Sequence, residues 1–195
     1  MPSMGWTWLR SGSVIMDKHW EIFNYDDIHT HKPSEGSVMS VEYDPKTMSL
    51  PAQAFTLGIH PWYAREDIDW EEFENLLSNP LTVGIGEAGL DKLKGPEMNI
   101  QEEVFLRQLQ LAEKHQLPVI IHSVRSNHRI LELKKKLNPT VPWIIHGFRG
   151  NVIEAKQLVS HGIHLSLGKH HDKEIAKTIP AEYIHYETDE IDNKT

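Results

Sequence analysis

Apolar residues fall in short blocks along this chain, and nearly every block runs into a polar residue able to hold a cation or an anion. β-Rich apolar runs occupy 37–43, 55–59, 81–85, 118–121, 141–145, 163–167 and 183–186. Centres such as Val119-Ile120-Ile121 are unbroken rather than alternating, the pattern of strands covered on both faces. Between the runs the period changes to that of amphipathic helices. Trp70, Phe73 and Leu77 fall on one face, with Asp69 and Glu72 as an N-terminal capping pair. Phe105, Leu109 and Ala112 form a stripe in 101–117, which Pro118 stops. Ile130, Leu133 and Leu137 line up in 126–137, where Lys134, Lys135 and Lys136 sit at the end that favours cations. A fourth helix, 151–161, closes at Gly162. Strand, helix, strand, helix predicts an α/β protein of parallel strands joined by crossovers.

The polar residues choose between an open sheet and a ring. His29 and His31 are two apart, so on a strand they share a face. The next runs lead into His60, Glu87, His122 and His146, and the last into Glu187, Thr188 and Asp189. In a parallel barrel all strand C-termini open on one rim, whereas an open sheet converges such groups only near its switch point. Six candidate ligands on five strands (His29, His31, Glu87, His122, His146 and Asp189) therefore predict a TIM-type (β/α) barrel. His122 or His146 by itself would read as a packed core histidine; at equivalent strand ends they read as ligands. A carboxylate such as Glu87 closing a buried run is costly unless paired or metal-bound. The remaining histidines, 19, 115, 128, 161, 164, 170, 171 and 185, read as surface or packing residues.

Composition narrows the chemistry. At 195 residues and 39% hydrophobic the chain supports one domain, drawn as 25–195 behind a partly ordered N-terminal arm, 1–24. The absence of cysteine excludes disulfide scaffolds, thiol nucleophiles and cysteine-bound zinc. Four imidazoles and two carboxylates suit Zn²⁺, Mn²⁺, Mg²⁺, Co²⁺ or Ni²⁺. Six ligands are too many for one catalytic ion with an open position and match two ions sharing a bridging carboxylate. A net charge of −8 speaks against gripping long duplex nucleic acid. No apolar run is long enough for a membrane span. With no secretory signal pattern and no cysteine the expected compartment is the cytoplasm, and a monomer is favoured although the sequence does not disclose oligomeric state.

Six motifs carry a resemblance: Asp27-Ile28-His29-Thr30-His31, Gly58-Ile59-His60-Pro61, Gly86-Glu87-Ala88-Gly89-Leu90-Asp91, Leu117-Pro118-Val119-Ile120-Ile121-His122-Ser123, His146-Gly147-Phe148-Arg149-Gly150 and Glu187-Thr188-Asp189. From Asp27 to Asp189 the chain resembles the TatD family of metal-dependent hydrolases. The resemblance implies a deoxyribonuclease cleaving phosphodiester bonds with a metal-bound hydroxide, its partners being DNA ends or short single-stranded DNA. It implies two divalent ions, one held by His29, His31, Glu87 and Asp189 and the other by Glu87, His122 and His146. Asp189 would also orient or deprotonate the attacking water, and His60 would face the substrate phosphate. Arg125 and Arg149 are candidate phosphate partners because guanidinium suits bidentate contacts, although the family's arginine lies two positions after the motif histidine, where this chain has Val124.

Other departures shape the expectation. The stretch from His31 to Ala54 is too short for a full strand and crossover helix, Glu190 stands where the family has proline, and the sequence stops six residues past Asp189. An abbreviated barrel follows, without its first crossover helix and last helix, with a shallower groove and apolar surface where that last helix would pack. Two alternatives stay open. The same dinuclear site could hydrolyse another ester, a lactone or an amide, or the chain could be a shortened, non-catalytic relative.

Overall fold

The computed structural model describes residues 18–189. Eight strands follow one another in chain order around a single sheet: β1 (Asp27–Thr30), β2 (Ser37–Glu42), β3 (Phe55–Gly58), β4 (Thr82–Asp91), β5 (Val119–Val124), β6 (Trp143–Ile145), β7 (Ile163–Leu167) and β8 (Ile184–Tyr186). Every neighbouring pair from β1 to β8 is parallel. The two ends of the series meet through the residues just past β8. Thr188 Oγ1 donates to Asp27 Oδ2 at 2.6 Å, and the Asp189 N–H donates to the His29 carbonyl at 3.2 Å. The result is the expected TIM-type barrel in nearly closed form.

Among the described residues five α-helices clothe it: α1 (Trp70–Leu76), α2 (Met98–His115), α3 (Asn127–Leu137), α4 (Val152–Val159) and α5 (Lys173–Thr178). No α-helix stands between β1 and β2, as the short connection predicts, and none between β2 and β3. The expected loss of a final helix concerns chain beyond residue 189, outside the described residues. Asp69 caps α1 as predicted, its Oδ1 accepting from the Glu72 N–H at 2.9 Å. The stripe of α2 buries Phe105, Leu109 and Ala112 against the sheet. In α3, Ile130 and Leu133 are buried, but Leu137, the last residue of the helix, is 43% exposed. α5 escapes sequence reading: in six residues only Ile175 is buried, too few to show a period.

β4 corrects the sequence reading. The apolar run read from the sequence ends at Ile85, yet the strand runs ten buried residues to Asp91. The glycines serve close packing here. A Cβ on Gly86 would stand 2.7 Å from Ile120 Cβ, and one on Gly89 would collide with the His122 carbonyl. Both have φ above +150°, which only glycine tolerates easily. β5 therefore lies flush against β4, and this sets the distance between Glu87 and His122.

The barrel interior is apolar at its base. Ile28, Val38, Ala54, Val83, Ile120 and Ile144 converge there, and Ile22 joins them from a 3₁₀ helix, Lys18–Asn24, that precedes β1. A fully buried isoleucine contributes about 1.5–3 kcal/mol, so this helix plugs the end of the barrel remote from the strand C-termini. Residues 1–17 lie outside the described residues.

Beside the plug, His164 Nδ1 and His185 Nε2 share a hydrogen bond of 3.0 Å, and the Phe23 ring stacks on both imidazoles. Burial depresses both to about 4, helped by the charge of Lys134 for His164 and of its partner for His185. The fold thus prefers them neutral, whereas in the unfolded chain they take up protons near the ordinary 6.5. Their contribution is complete above about pH 6.5 and is lost as the pH falls toward 4. We expect unfolding stability to drop between pH 7 and 4.5, on the order of 1–2 kcal/mol from this pair after allowing for residual solvent contact. The double variant His164→Phe/His185→Phe should flatten that part of the dependence in denaturant titrations; an unchanged slope would show that the pair titrates normally.

Candidate metal centre

Six strands deliver polar side chains to the C-terminal mouth. β1 carries His29 and, one step past its end, His31; their rings sit 5.2 Å apart at 86°. His60 follows β3 and His146 follows β6, as predicted. Glu87 and His122 lie within longer strands than expected rather than beyond them. Glu187 and Asp189 follow β8.

The chain reunites these residues around the two oxygens of Glu87. Oε1 is 3.3 Å from His29 Nε2 and 3.3 Å from His31 Nε2, and those nitrogens lie 3.6 and 3.4 Å from Asp189 Oδ1. Oε2 is 2.9 Å from His146 Nε2, 3.4 Å from His122 Nδ1 and 3.4 Å from His60 Nε2. One carboxylate thus faces a separate donor set with each oxygen. His29 Nε2 and Asp189 Oδ1 are buried with no aligned hydrogen-bond partner despite their short separations. Lone pairs that approach without pairing converge on a shared point, and a cation there would satisfy them. Among the described residues, four overlapping triads hold donor atoms within 4.8 Å of one another: His29, Glu87, His146; His29, His31, Asp189; His60, Glu87, His122; and His146, Glu187, Asp189. The donor set fits hard or borderline divalent ions.

Electrostatics follow from the crowding. Burial pushes the Glu87 carboxyl up, but the charges of His146 and His29 outweigh it and hold the group well below its ordinary range. Asp189 is likewise raised by burial and pulled down further by the imidazoles of His29 and His31 beside it and by the charge of His146. In return, burial lowers His29 while Glu87 and Asp189 lift it to about 10, and Asp189 and Glu87 lift His31 to about 9. Protons therefore occupy the positions that a metal would take, and loading the site releases them.

Several supporting residues received no role from the sequence. Asp91, the end of the Gly-Leu-Asp motif, is buried; its Oδ2 accepts from Trp62 Nε1–H at 2.6 Å and lies 3.2 Å from His122 Nε2. A carboxylate can only accept, so it holds the His122 proton on Nε2 and leaves the Nδ1 lone pair facing Glu87. Two buried glutamines seven residues apart on α2 clamp the rim. Gln108 bonds both the N–H and carbonyl of Ile59, beside His60, and Gln101 does the same for Asp91. Their only signal in the sequence is polarity on the buried side of an amphipathic helix. Glu187 is buried without a hydrogen-bond partner, with Oε1 3.9 Å from His146 Nδ1. Glu42, on β2, accepts from the His60 N–H through Oε2 at 3.0 Å while its Oε1 has no partner; burial raises this carboxyl to about 8.

Arg125 and Arg149 are exposed on the loops after β5 and β6, where they line a cavity of about 340 Å³ with His122, His146 and Asp189. His60, Trp62 and Glu87 line an adjoining cavity of about 520 Å³. Among the described residues no helix is long and apolar enough to cross a membrane.

Comparison with known proteins agrees with this geometry. A family model described as TatD related DNase matches residues 45–192. The uncharacterized metal-dependent hydrolase YabD of Bacillus subtilis is 33% identical over 147 residues, covering 68% of this chain and 56% of that protein. The 3'-5' ssDNA/RNA exonuclease TatD of Escherichia coli is 32% identical over 151 residues, covering 69% and 56%. The chain spans about half the length of these curated relatives. The crystal structure of the TatD homologue YjjV from Escherichia coli superposes with a TM-score of 0.69 at 21% identity, over 86% of this chain and 80% of that one, a likeness of fold.

Proposed function

This chain belongs to the TatD-related DNase family, and from that premise we propose that it is a divalent-metal-dependent hydrolase of phosphodiester bonds in DNA ends or short single strands. One observation carries the reading: the two oxygens of Glu87 face separate donor sets. His29, His31, Glu87 and Asp189 would hold one ion, and Glu87, His122 and His146 the other. Two ions there would lower the pKa of a water and neutralise charge growing on the phosphoryl oxygens.

The chain's own groups do the rest. Asp189, half-buried with its Oδ1 turned into the cluster, accepts the proton of the attacking water. His60 is assigned to substrate by its tautomer: Nδ1 accepts from the Trp62 N–H at 3.2 Å, so the ring proton of the neutral form sits on Nε2. Burial lowers the affinity of this ring for a second proton. Nε2–H is then a donor aimed at the cluster, suited to a phosphoryl oxygen rather than to a cation. Arg125 and Arg149 flank the adjoining cavity and take non-bridging oxygens of the strand. Asp91 keeps His122 in the productive tautomer, and Glu187 stands behind His146.

The experiment compares a chromogenic phosphodiester with a carboxyl ester and a lactone, before and after chelation. We expect the phosphodiester to be turned over fastest, an at least about 100-fold loss on chelation, and recovery with one of Zn²⁺, Mn²⁺, Mg²⁺, Co²⁺ or Ni²⁺. Faster turnover of the ester or lactone would transfer the site to that chemistry. Metal binding without any turnover would withdraw the catalytic reading.

A further inference from the structure

A cleft leads away from the imidazole cluster along β2, on the side of the barrel remote from Arg125 and Arg149. Its inner part, about 520 Å³, is lined by His60, Glu87 and His122 together with Ser40, Glu42 and Tyr63. Its outer part, about 850 Å³, shares Ser40, Glu42 and Tyr63 and adds Met39 and Met48. The chain between β2 and β3 contains no helix, and the loop at 44–49 forms one wall.

Lys32 lines the inner part, and Lys46 and Arg65 line the outer part together with Asp44 and Asp67. Next to His60, two other side chains set the chemical character. Tyr63 is 56% exposed at the mouth, a large ring left in solvent, with its centroid 6.1 Å from that of His60. Glu42 is anchored through Oε2 by the His60 N–H, which leaves Oε1 screened from water and without a partner. An acidic group beside a phosphate-hydrolysing centre is misplaced for meeting another phosphate. Burial holds its carboxyl at about 8, and an N–H brought to Oε1 favours the ionised form, which accepts from it; a flat ring fits an exposed tyrosine. All four natural bases combine a π-face with at least one N–H donor on the pairing edge, so such a site tolerates any of them.

We infer that this cleft is a subsite for the nucleobase adjoining the scissile phosphodiester, with the base stacked on Tyr63 and one of its N–H groups donated to Glu42 Oε1. The inference takes its substrate from the phosphodiesterase reading above. Tyr63 and Glu42 then set how firmly the nucleotide is seated beside Glu87.

The test uses metal-loaded protein and a deoxydinucleotide, compared with counterparts in which one or the other base is removed. The ratio of kcat/KM with and without the base is expected to be about tenfold in the wild type, to approach one in Tyr63→Ala, and to return in Tyr63→Phe. Calorimetry supplies a readout independent of turnover. Deoxyadenosine 5'-monophosphate should bind more tightly than deoxyribose 5-phosphate, and Glu42→Ala should bring adenine down to the affinity of unsubstituted purine, which lacks the donor. If the wild type cleaves dinucleotides with and without bases equally well, or if Tyr63→Ala keeps its preference, the subsite is overturned while the phosphodiesterase reading stands. If no dinucleotide is cleaved but binding still depends on base and Tyr63, the subsite stands and that reading falls. Loss of both signals overturns both.

Discussion

Glu87→Gln should strip the protein of stoichiometric divalent metal and lower phosphodiester turnover about 1000-fold or more, equivalent to at least ~4 kcal/mol of the barrier. The change is nearly isosteric, so packing of the buried side chain between β3 and β5 is retained. What it removes is a charge balanced on both sides, by His29 and His31 at Oε1 and by His122 and His146 at Oε2. An amide offers one neutral oxygen and turns an N–H toward the other donor set, which repels a cation there. The imidazoles also lose the charge that raises His29 to about 10 and His31 to about 9. Their pKa values fall, and the variant should bind fewer protons at neutral pH. Metal content by elemental analysis, circular dichroism and the chromogenic assay report these effects separately. A folded Glu87→Gln protein with full metal and full activity would remove the proposed mechanism.

The second large effect is expected at a residue that need not touch metal or substrate. Asp91→Asn should weaken metal affinity and turnover 10- to 100-fold, the usual size of a change behind a ligating histidine. Asp91 accepts from the Leu93 and Lys94 N–H groups through Oδ1, which fixes the carboxylate at the end of β4. Its Oδ2 then faces His122 Nε2. An asparagine that presents its amide N–H to that nitrogen favours the opposite tautomer, placing the proton on Nδ1 and removing the lone pair that faces Glu87. Trp62→Phe is the control, since it deletes the other hydrogen bond to Oδ2 and leaves the His122 acceptor in place. If Asp91→Asn and Trp62→Phe lose metal affinity equally, Asp91 acts through general packing and not through the tautomer.

The strand series and the six ligand candidates were legible because both depend on local pattern. An unbroken apolar run followed by a histidine or carboxylate reads the same wherever the strand sits in the barrel. The lengths of β4 and β5 were not legible: the apolar run breaks at Gly86, and only the close contact of Gly86 and Gly89 with β5 shows the strand continuing. Asp91 was visible as a motif residue, but its task depends on Trp62 and His122, both about 30 positions away. Gln101 and Gln108 carried even less signal, because a buried glutamine gives no sign of which backbone it satisfies. His164 and His185 were rightly left out of the cluster, yet their contact with Phe23 and their pH dependence come only from tertiary contact.

Taken alone, the sequence determined the class of fold, the direction of the strands and the chemical kind of the donors. Hydrophobic burial is set by residue type and spacing, and both are written in the chain. Only the tertiary structure decided that Glu87 divides its two oxygens between separate sets, that His60 presents a proton where His122 presents a lone pair, and that a cleft with Tyr63 and Glu42 opens beside them. Those outcomes rest on separations of 3–4 Å between atoms contributed by different strands, and no spacing along one polypeptide encodes them.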